Sequence, residues 1–176
     1  MEFCQRLVGC KMITSTGGTF DLFHSGHFTG GKMIVYTGGT FDLFHSGHSR
    51  LLERCKKAVG NNGYLVVSVN TDEFCSQYKE TPICSLAERM EVVSSCKWVD
   101  KVIVNSGGAD SKPAIIEAKA NLVIVGSDWQ SKDYYKQMGF TQEWLDERNI
   151  GVMFIPYTED ISTTIIKSRI LNRTFQ

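Results

Sequence analysis

Two histidines spaced three residues apart stand in the block GGTFDLFHSGH, which occurs at residues 17–27 and again at 38–48. At a helix start this spacing brings both imidazoles to one side of the helix. The preceding Gly-Gly pair lets the backbone approach a ligand closely, and the free amides of a helix start attract anions. One histidine alone is typical of a simple helix cap. The combined pattern predicts a phosphate site that stabilises charge as it grows during a reaction.

The two copies of the block have different surroundings. They align as residues 12–27 and 33–48, and they differ at only two aligned pairs, Thr14/Val35 and Ser15/Tyr36. An amphipathic helical pattern follows the second copy, whereas FTGGK, which cannot continue as a helix, follows the first. We therefore take the second copy as the working one. We interpret residues 1–32 as a poorly ordered N-terminal extension that carries a partial duplicate, ahead of a domain at 33–176 with Met33 as a candidate start.

Short apolar runs alternate with helical patterns from residue 33 onward. Strands are predicted at 33–37, 64–70, 101–104, 121–126 and 151–157, and helices at 46–60, from 71, at 85–99, 111–120, 141–149 and 162–173. Continuously apolar strands separated by helices imply a parallel sheet that is covered on both faces. The prediction is one α/β domain, a Rossmann-like doubly wound parallel sheet of about five strands with helices on both faces. Its ligand should lie at the carboxyl ends of the strands.

The composition excludes several classes of protein. Among the 176 residues, 19 basic side chains balance 19 acidic ones, which does not favour nucleic-acid binding. No apolar run reaches the length of a membrane span, and the N-terminus lacks the apolar core of a signal peptide, so we expect a cytoplasmic protein without membrane insertion. The six cysteines contain no C-x-x-C pair, which indicates reduced thiols rather than a zinc site.

The second block resembles the nucleotide-binding signature of the cytidylyltransferase branch of the H-x-G-H nucleotidyltransferase superfamily. Leu43 stands where adenylyltransferases of that superfamily tend to have proline. Four further segments resemble family blocks in family order, and with them the resemblance covers roughly residues 33–173. These segments are VNTDEF (69–74), WVDKVI (98–103), VGSDW (125–129) and ISTTIIKSRI (161–170), the last resembling the second signature of the family.

The resemblance implies transfer of CMP from CTP to a small phosphorylated alcohol, with glycerol 3-phosphate as the first choice, and release of pyrophosphate. Mg²⁺ would be bound mainly through the CTP phosphates, without metal ligands from the protein, and the enzyme would be a homodimer. Ethanolamine phosphate, choline phosphate and other polyol phosphates stay open as acceptors. An adenylyltransferase that uses ATP, and a nucleotide-binding module with weak catalysis, stay open as alternatives.

The resemblance also assigns roles to individual residues. The expected catalytic residues are His45, His48 and Lys79. The expected nucleotide-binding residues, besides the two histidines, are Gly39, Thr40, Phe41, Asp128, Trp129, Ser162, Thr163 and Thr164. The expected substrate-binding residues are Arg89 and Lys112. Simpler interpretations are a solvated loop lysine at 79, a surface ion pair at 89, a one-residue slip of alignment at 112 and a plain helix cap at 162.

Two positions depart from the family pattern just before the last helix. Tyr157 stands where an arginine is expected, and Asp160 stands where a glycine is expected. Tyrosine cannot supply the charge of arginine, and an aspartate adds negative charge near the phosphates. These departures affect the choice of acceptor alcohol more than the type of reaction.

Overall fold

Six parallel strands form one sheet in the order β1-β6-β5-β2-β3-β4. The computed structural model describes residues 13–14, 32–60, 62–126, 138–156 and 158–173. The strands are β1 (Ile13–Thr14), β2 (Ile34–Gly39), β3 (Tyr64–Asn70), β4 (Lys101–Asn105), β5 (Leu122–Gly126) and β6 (Gly151–Ile155). The helices are α1 (Ser46–Lys57), α2 (Asp72–Ser76), α3 (Leu86–Ser94), α4 (Lys112–Ala118), α5 (Gln142–Asp146) and α6 (Thr163–Arg173).

Apolar residues on both faces of the central strands build two separate cores. Neighbouring residues of β2 point to opposite faces, so Val35 enters one core and Tyr36 the other. Side chains of α1 and α3, such as Leu52 and Val93, cover the first face. Side chains of α4 and α5, such as Ile115, cover the second. This is the predicted doubly wound α/β arrangement, and it places the carboxyl ends of β2, β3 and β4 side by side.

Local sequence signals account for most helix starts. Ser85 and Glu88 form the predicted capping box, with the Ser85 amide donating to the Glu88 carboxylate at 2.7 Å. The third helix ends at Ser94, earlier than the predicted residue 99. Turns follow Ser94, and further along the Asp100 carboxylate accepts the Leu65 amide of β3 at 2.7 Å and pairs with Lys56 of α1.

The sheet distinguishes the two copies of the repeated block. The second copy supplies β2, where Val35 and Tyr36 are 0% and 1% exposed. The first copy carries threonine and serine at the corresponding positions, and its Ile13–Thr14 pairs with Met153 and Phe154 at the edge of the sheet. A central strand covered on both faces requires apolar side chains, whereas an edge position tolerates polar ones. The two-residue β1 is a sixth strand that the predicted five did not include.

Within the described ranges, no helix is long and apolar enough to cross a membrane.

We expect a chain that begins at Met33 to fold and to keep its activity, because the buried clusters of the described residues are built from residue 34 onward. Its melting temperature should lie within about 3 °C of that of the full chain, which corresponds to roughly 1 kcal/mol. Thermal unfolding followed by circular dichroism measures this. The matched test in the full chain is His24→Ala, which should leave activity unchanged. If the shortened chain and His24→Ala were both inactive, the first copy would be functional.

Candidate active site

The turn that joins β2 to α1 has a strained backbone. Phe41 and Leu43 both adopt positive φ angles, 55° and 46°, in a region that L-residues with large side chains rarely occupy. Such conformations cost on the order of 1–3 kcal/mol each and persist only when the surroundings hold them. The turn is therefore a place where tertiary contacts, rather than local preference, determine the backbone.

Asp42, between the two strained residues, attaches the turn to the rest of the fold. Its buried carboxylate accepts the amides of Ile83 at 3.1 Å and Cys84 at 3.0 Å. Its carbonyl oxygen accepts the hydroxyl of Thr163, the first residue of α6, at 3.1 Å. One residue thus ties the turn both to the segment before α3 and to the last helix.

Arg89 of α3 is buried among backbone carbonyls. Its side chain is 1% exposed, and its guanidinium donates to the carbonyls of Cys84, Thr40 and Asn70 at 3.0, 2.6 and 2.8 Å. A further donor pairs with the Asp72 carboxylate. A guanidinium has five N–H donors, and four of them are engaged here. These contacts make Arg89 a residue that holds the turn in place, and its expected contact with a substrate phosphate stays a prediction.

The two histidines form a cap on α1. The Gly47 amide donates to His45 Nδ1 at 3.1 Å, and the His45 amide approaches His48 Nδ1 at 3.4 Å. The imidazole rings stack with their centroids 3.8 Å apart. Because each Nδ1 faces a backbone donor, each neutral ring carries its hydrogen on Nε2. Both side chains are thereby prepared to donate a hydrogen bond to a phosphate oxygen.

Burial keeps these rings uncharged in the free protein. Phe41 and Phe44 pack on the His48 ring at centroid distances of 5.3 and 5.5 Å. Removal from water and, to a smaller extent, the neighbouring His45 together lower the pKa of His48 to about 3, against an opposing effect of Asp42. Burial also lowers the pKa of His45. The histidines are therefore neutral hydrogen-bond donors at neutral pH rather than fixed cations.

A second helix start meets the first at this turn. Ser162 caps α6 by accepting the Ile165 amide at 3.2 Å, and the Thr163 hydroxyl donates to the turn as described above. A Cβ placed on Gly47 would lie 3.1 Å from the side chain of Ile161, which shows how closely the two helix starts approach. The positive ends of two helix dipoles converging on one turn favour an anionic ligand.

The other predicted site residues are distributed as follows. A Cβ placed on Gly39 would lie 3.1 Å from the Phe41 ring, and that ring is buried. Lys79 is exposed after α2, with its ammonium 5.7 Å from the ring centre of Tyr78. Thr164 is exposed on the first turn of α6.

Lys112 begins α4, as predicted, but its contacts lie elsewhere. Its ammonium donates to the Gly139 carbonyl and pairs with Asp110 at 3.3 Å. None of the described contacts of the Lys112 side chain reaches the turn after β2. The predicted nucleotide residues Asp128 and Trp129, and the departure at 157, lie outside the described residues.

Sequence reasoning missed two residues that contact the turn. Asp42 is inside the repeated block, yet its carboxylate binds the amides of Ile83 and Cys84, which lie 41 and 42 residues further along the chain. Tyr78, whose hydroxyl lies 3.4 Å from the Thr40 hydroxyl, has no signal in the sequence pattern. The contacts of both are made with segments that meet only in the folded chain.

Comparisons with known proteins identify the family of this chain. A family model described as Cytidylyltransferase-like matches residues 36–169. The glycerol-3-phosphate cytidylyltransferase of Bacillus subtilis is 36% identical over 88% of this chain and 94% of its own length. The choline-phosphate cytidylyltransferase of Saccharomyces cerevisiae is 34% identical over 85% of this chain and 30% of its own length. A solved lipopolysaccharide core biosynthesis protein from Thermoplasma volcanium has a TM-score of 0.56 and 25% identity, covering 73% of this chain and 100% of the other.

The chain belongs to the cytidylyltransferase-like family, because the family match spans most of its length. It is therefore a nucleotidyltransferase with a Rossmann-like α/β fold. The resemblance that the repeated block suggested is confirmed.

Replacing Gly47 by alanine should disturb His45, since the added Cβ would lie 2.9 Å from its imidazole and 3.1 Å from Ile161. We expect the rate of nucleotide transfer to fall by roughly tenfold to a hundredfold, because a displaced donor no longer faces its phosphate oxygen. The matched control is Ser46→Ala, an exposed neighbour in the same helix turn, which should be close to wild type. Equal rates of nucleotide transfer in Gly47→Ala and Ser46→Ala would contradict the argument that a Cβ at residue 47 displaces His45.

His48 should make stability depend on pH in a defined direction. Its pKa is lower in the folded state than in the unfolded chain, so the unfolded chain takes up the proton first as pH falls. The free energy of unfolding should therefore decrease below pH 6.5, by at most about 1.4 kcal/mol per pH unit from this residue. Urea unfolding between pH 6.5 and 5 avoids most carboxylate titration. His48→Gln should show a shallower slope, and an unchanged slope would contradict the burial argument.

Proposed function

We propose that this chain transfers CMP from CTP to a phosphorylated alcohol, with glycerol 3-phosphate as the acceptor, and releases pyrophosphate. The observation that carries the proposal is the convergence of two helix starts and two Nε2–H imidazoles on the turn after β2 in a member of the cytidylyltransferase-like family. Glycerol 3-phosphate is favoured because the Bacillus subtilis relative is matched over 94% of its length, whereas the yeast choline-phosphate relative is matched over 30%.

The proposed reaction is an in-line displacement. An oxygen of the acceptor phosphate forms a bond to the α-phosphorus of CTP, the bond from that phosphorus to the bridging oxygen breaks, and pyrophosphate leaves with the electron pair. The attacking oxygen is already anionic at neutral pH, so no side chain has to remove a proton. This agrees with histidines whose lowered pKa values suit them to donate hydrogen bonds rather than to exchange protons.

The neutral histidines have a defined part in this scheme. Their Nε2–H groups are placed to bond phosphate oxygens whose charge increases as pyrophosphate departs. The helix starts of α1 and α6 add backbone dipoles that cost no reorganisation during the step. Lys79, exposed beside Tyr78, is proposed to neutralise charge on the phosphates.

Several finer expectations remain part of the proposal. The turn presents imidazole, hydroxyl and amide donors, which suit phosphate oxygens and do not form a cation cage, so we derive no step through Mg²⁺. Mg²⁺ would enter on the CTP phosphates and supply electrostatic neutralisation there. Contacts of Asp128 and Trp129 with the nucleoside, a homodimer and a cytoplasmic location stay predictions.

A panel assay tests the proposal directly. Purified protein is incubated with CTP or ATP and with glycerol 3-phosphate, ethanolamine phosphate or choline phosphate, and released pyrophosphate is measured. We expect turnover with CTP and glycerol 3-phosphate above all other pairs. Turnover with ATP alone would overturn the choice of nucleotide, and preference for choline phosphate would overturn the acceptor.

His45→Ala and His48→Ala should each lower kcat by on the order of a hundredfold or more, because each removes a donor to the reacting phosphates. The matched control is His24→Ala, which alters the corresponding histidine of the first copy. Melting temperatures of all variants identify any loss of folding. Full activity of folded His45→Ala would remove that residue from the catalytic assignment.

A further inference from the structure

Four polar side chains form a row at the carboxyl ends of β2, β3 and β4 and lead to the turn after β2. Asn105 Nδ2 donates to Asn70 Oδ1 at 2.8 Å and to the Gly108 carbonyl at 2.8 Å. Asn70 Nδ2 donates to the Tyr78 hydroxyl at 3.2 Å. The Tyr78 hydroxyl lies 3.4 Å from the hydroxyl of Thr40. We call Asn105, Asn70, Tyr78 and Thr40 the polar row.

The far end of the polar row sets its direction. A carbonyl oxygen can only accept, so Gly108 requires the amide nitrogen of Asn105 on its side. The same nitrogen faces Asn70, which must therefore present its oxygen to Asn105 and its nitrogen to the tyrosine. The Tyr78 oxygen accepts this hydrogen bond, so the hydroxyl hydrogen of Tyr78 is available to donate to a second acceptor.

Two acceptors lie within reach of the Tyr78 hydrogen. The Thr40 oxygen is 3.4 Å away, and the Cys75 sulfur is 4.0 Å away. An oxygen is both the nearer and the stronger acceptor, so Tyr78 donates to Thr40. The single hydrogen of the Thr40 hydroxyl is then directed away from Tyr78. In the free protein it faces the Cys75 sulfur at 3.4 Å, a weak acceptor that a phosphate oxygen would readily replace.

We propose that Tyr78 is a positioning residue that turns the Thr40 hydroxyl into a hydrogen-bond donor for a phosphate of the bound nucleotide. The inference rests on the proposed function, in which the turn after β2 binds the CTP phosphates. The 3.4 Å separation of the two hydroxyls is long, and contacts of this kind commonly shorten when substrate binds. Tyr78 acts through Thr40 and makes no contact with the nucleotide itself.

The aromatic ring of Tyr78 allows the hydroxyl to be removed without loss of packing. The ring leans on Phe74 at a centroid distance of 4.9 Å, and the side chain is 42% exposed. Tyr78→Phe keeps this contact and deletes only the hydroxyl. Tyr64→Phe is the matched control, because Tyr64 also has a hydroxyl contact at 3.4 Å, with the Asp100 carbonyl, but lies outside the polar row.

A double-mutant cycle with Thr40→Val tests the inference. The dissociation constant for CTP is measured by calorimetry, and KM and kcat by pyrophosphate release. Tyr78→Phe should raise the dissociation constant and KM roughly threefold to tenfold, as expected for one oriented hydrogen bond. Thr40→Val should raise them at least as much, and Tyr64→Phe should leave them unchanged. In the Thr40→Val background, Tyr78→Phe should have no further effect.

The outcomes separate the two proposals. If the effects of Tyr78→Phe and Thr40→Val on the dissociation constant multiply in the double variant, Tyr78 contacts the nucleotide directly. That result would overturn the inference and leave the proposed function intact. A wild-type affinity in Tyr78→Phe would overturn it in the same way. If wild-type protein uses ATP in place of CTP, the cycle is run with ATP. Failure of the wild type to bind either nucleotide would overturn the proposed function together with the inference.

Discussion

The active-site turn depends on one buried guanidinium. Arg89 has almost no contact with solvent, and a charge in that position is tolerable only when its donors are satisfied. Here four of its five donors are bound, by the carbonyls of Thr40, Asn70 and Cys84 and by the Asp72 carboxylate, all in segments that surround the turn. Because the buried guanidinium must find its hydrogen-bond acceptors within the protein, it holds the end of β2, the end of β3 and the loop before α3 in a fixed arrangement.

The strain in the turn and the neutrality of the histidines follow from this arrangement. Phe41 and Leu43 keep their unfavourable φ angles because Asp42 between them is bound to two amides and to α6. The same backbone directs the Phe41 ring against His48, and this burial depresses its pKa. A neutral donor is well suited to a displacement in which the attacking phosphate oxygen needs no deprotonation. Backbone strain, burial and the neutrality of the histidines are therefore linked, and under the proposed function so is the type of catalysis.

The repeated block shows how little a motif determines without its surroundings. Both copies contain the same eleven residues, and both contain the same pair of histidines. The copies differ at positions that fall in the middle of a strand, where Val35 and Tyr36 fill two cores in the second copy. The structure places that copy in the centre of the sheet and a short piece of the other at its edge. Packing against the sheet, and not the motif, distinguishes them.

The sequence by itself determined the succession of strands and helices along the chain from residue 33, the doubly wound class, the capping box of α3 and the position of the two histidines at a helix start. These depend on local periodicity and on contacts over a few residues. The role of Arg89, the ties made by Asp42 and the polar row ending at Tyr78 were decided only by the tertiary structure. Their partners come from distant segments, as far apart as 121 residues for Asp42 and Thr163. Residue type alone cannot show whether an arginine faces a substrate or a set of carbonyls, because both satisfy the same donors.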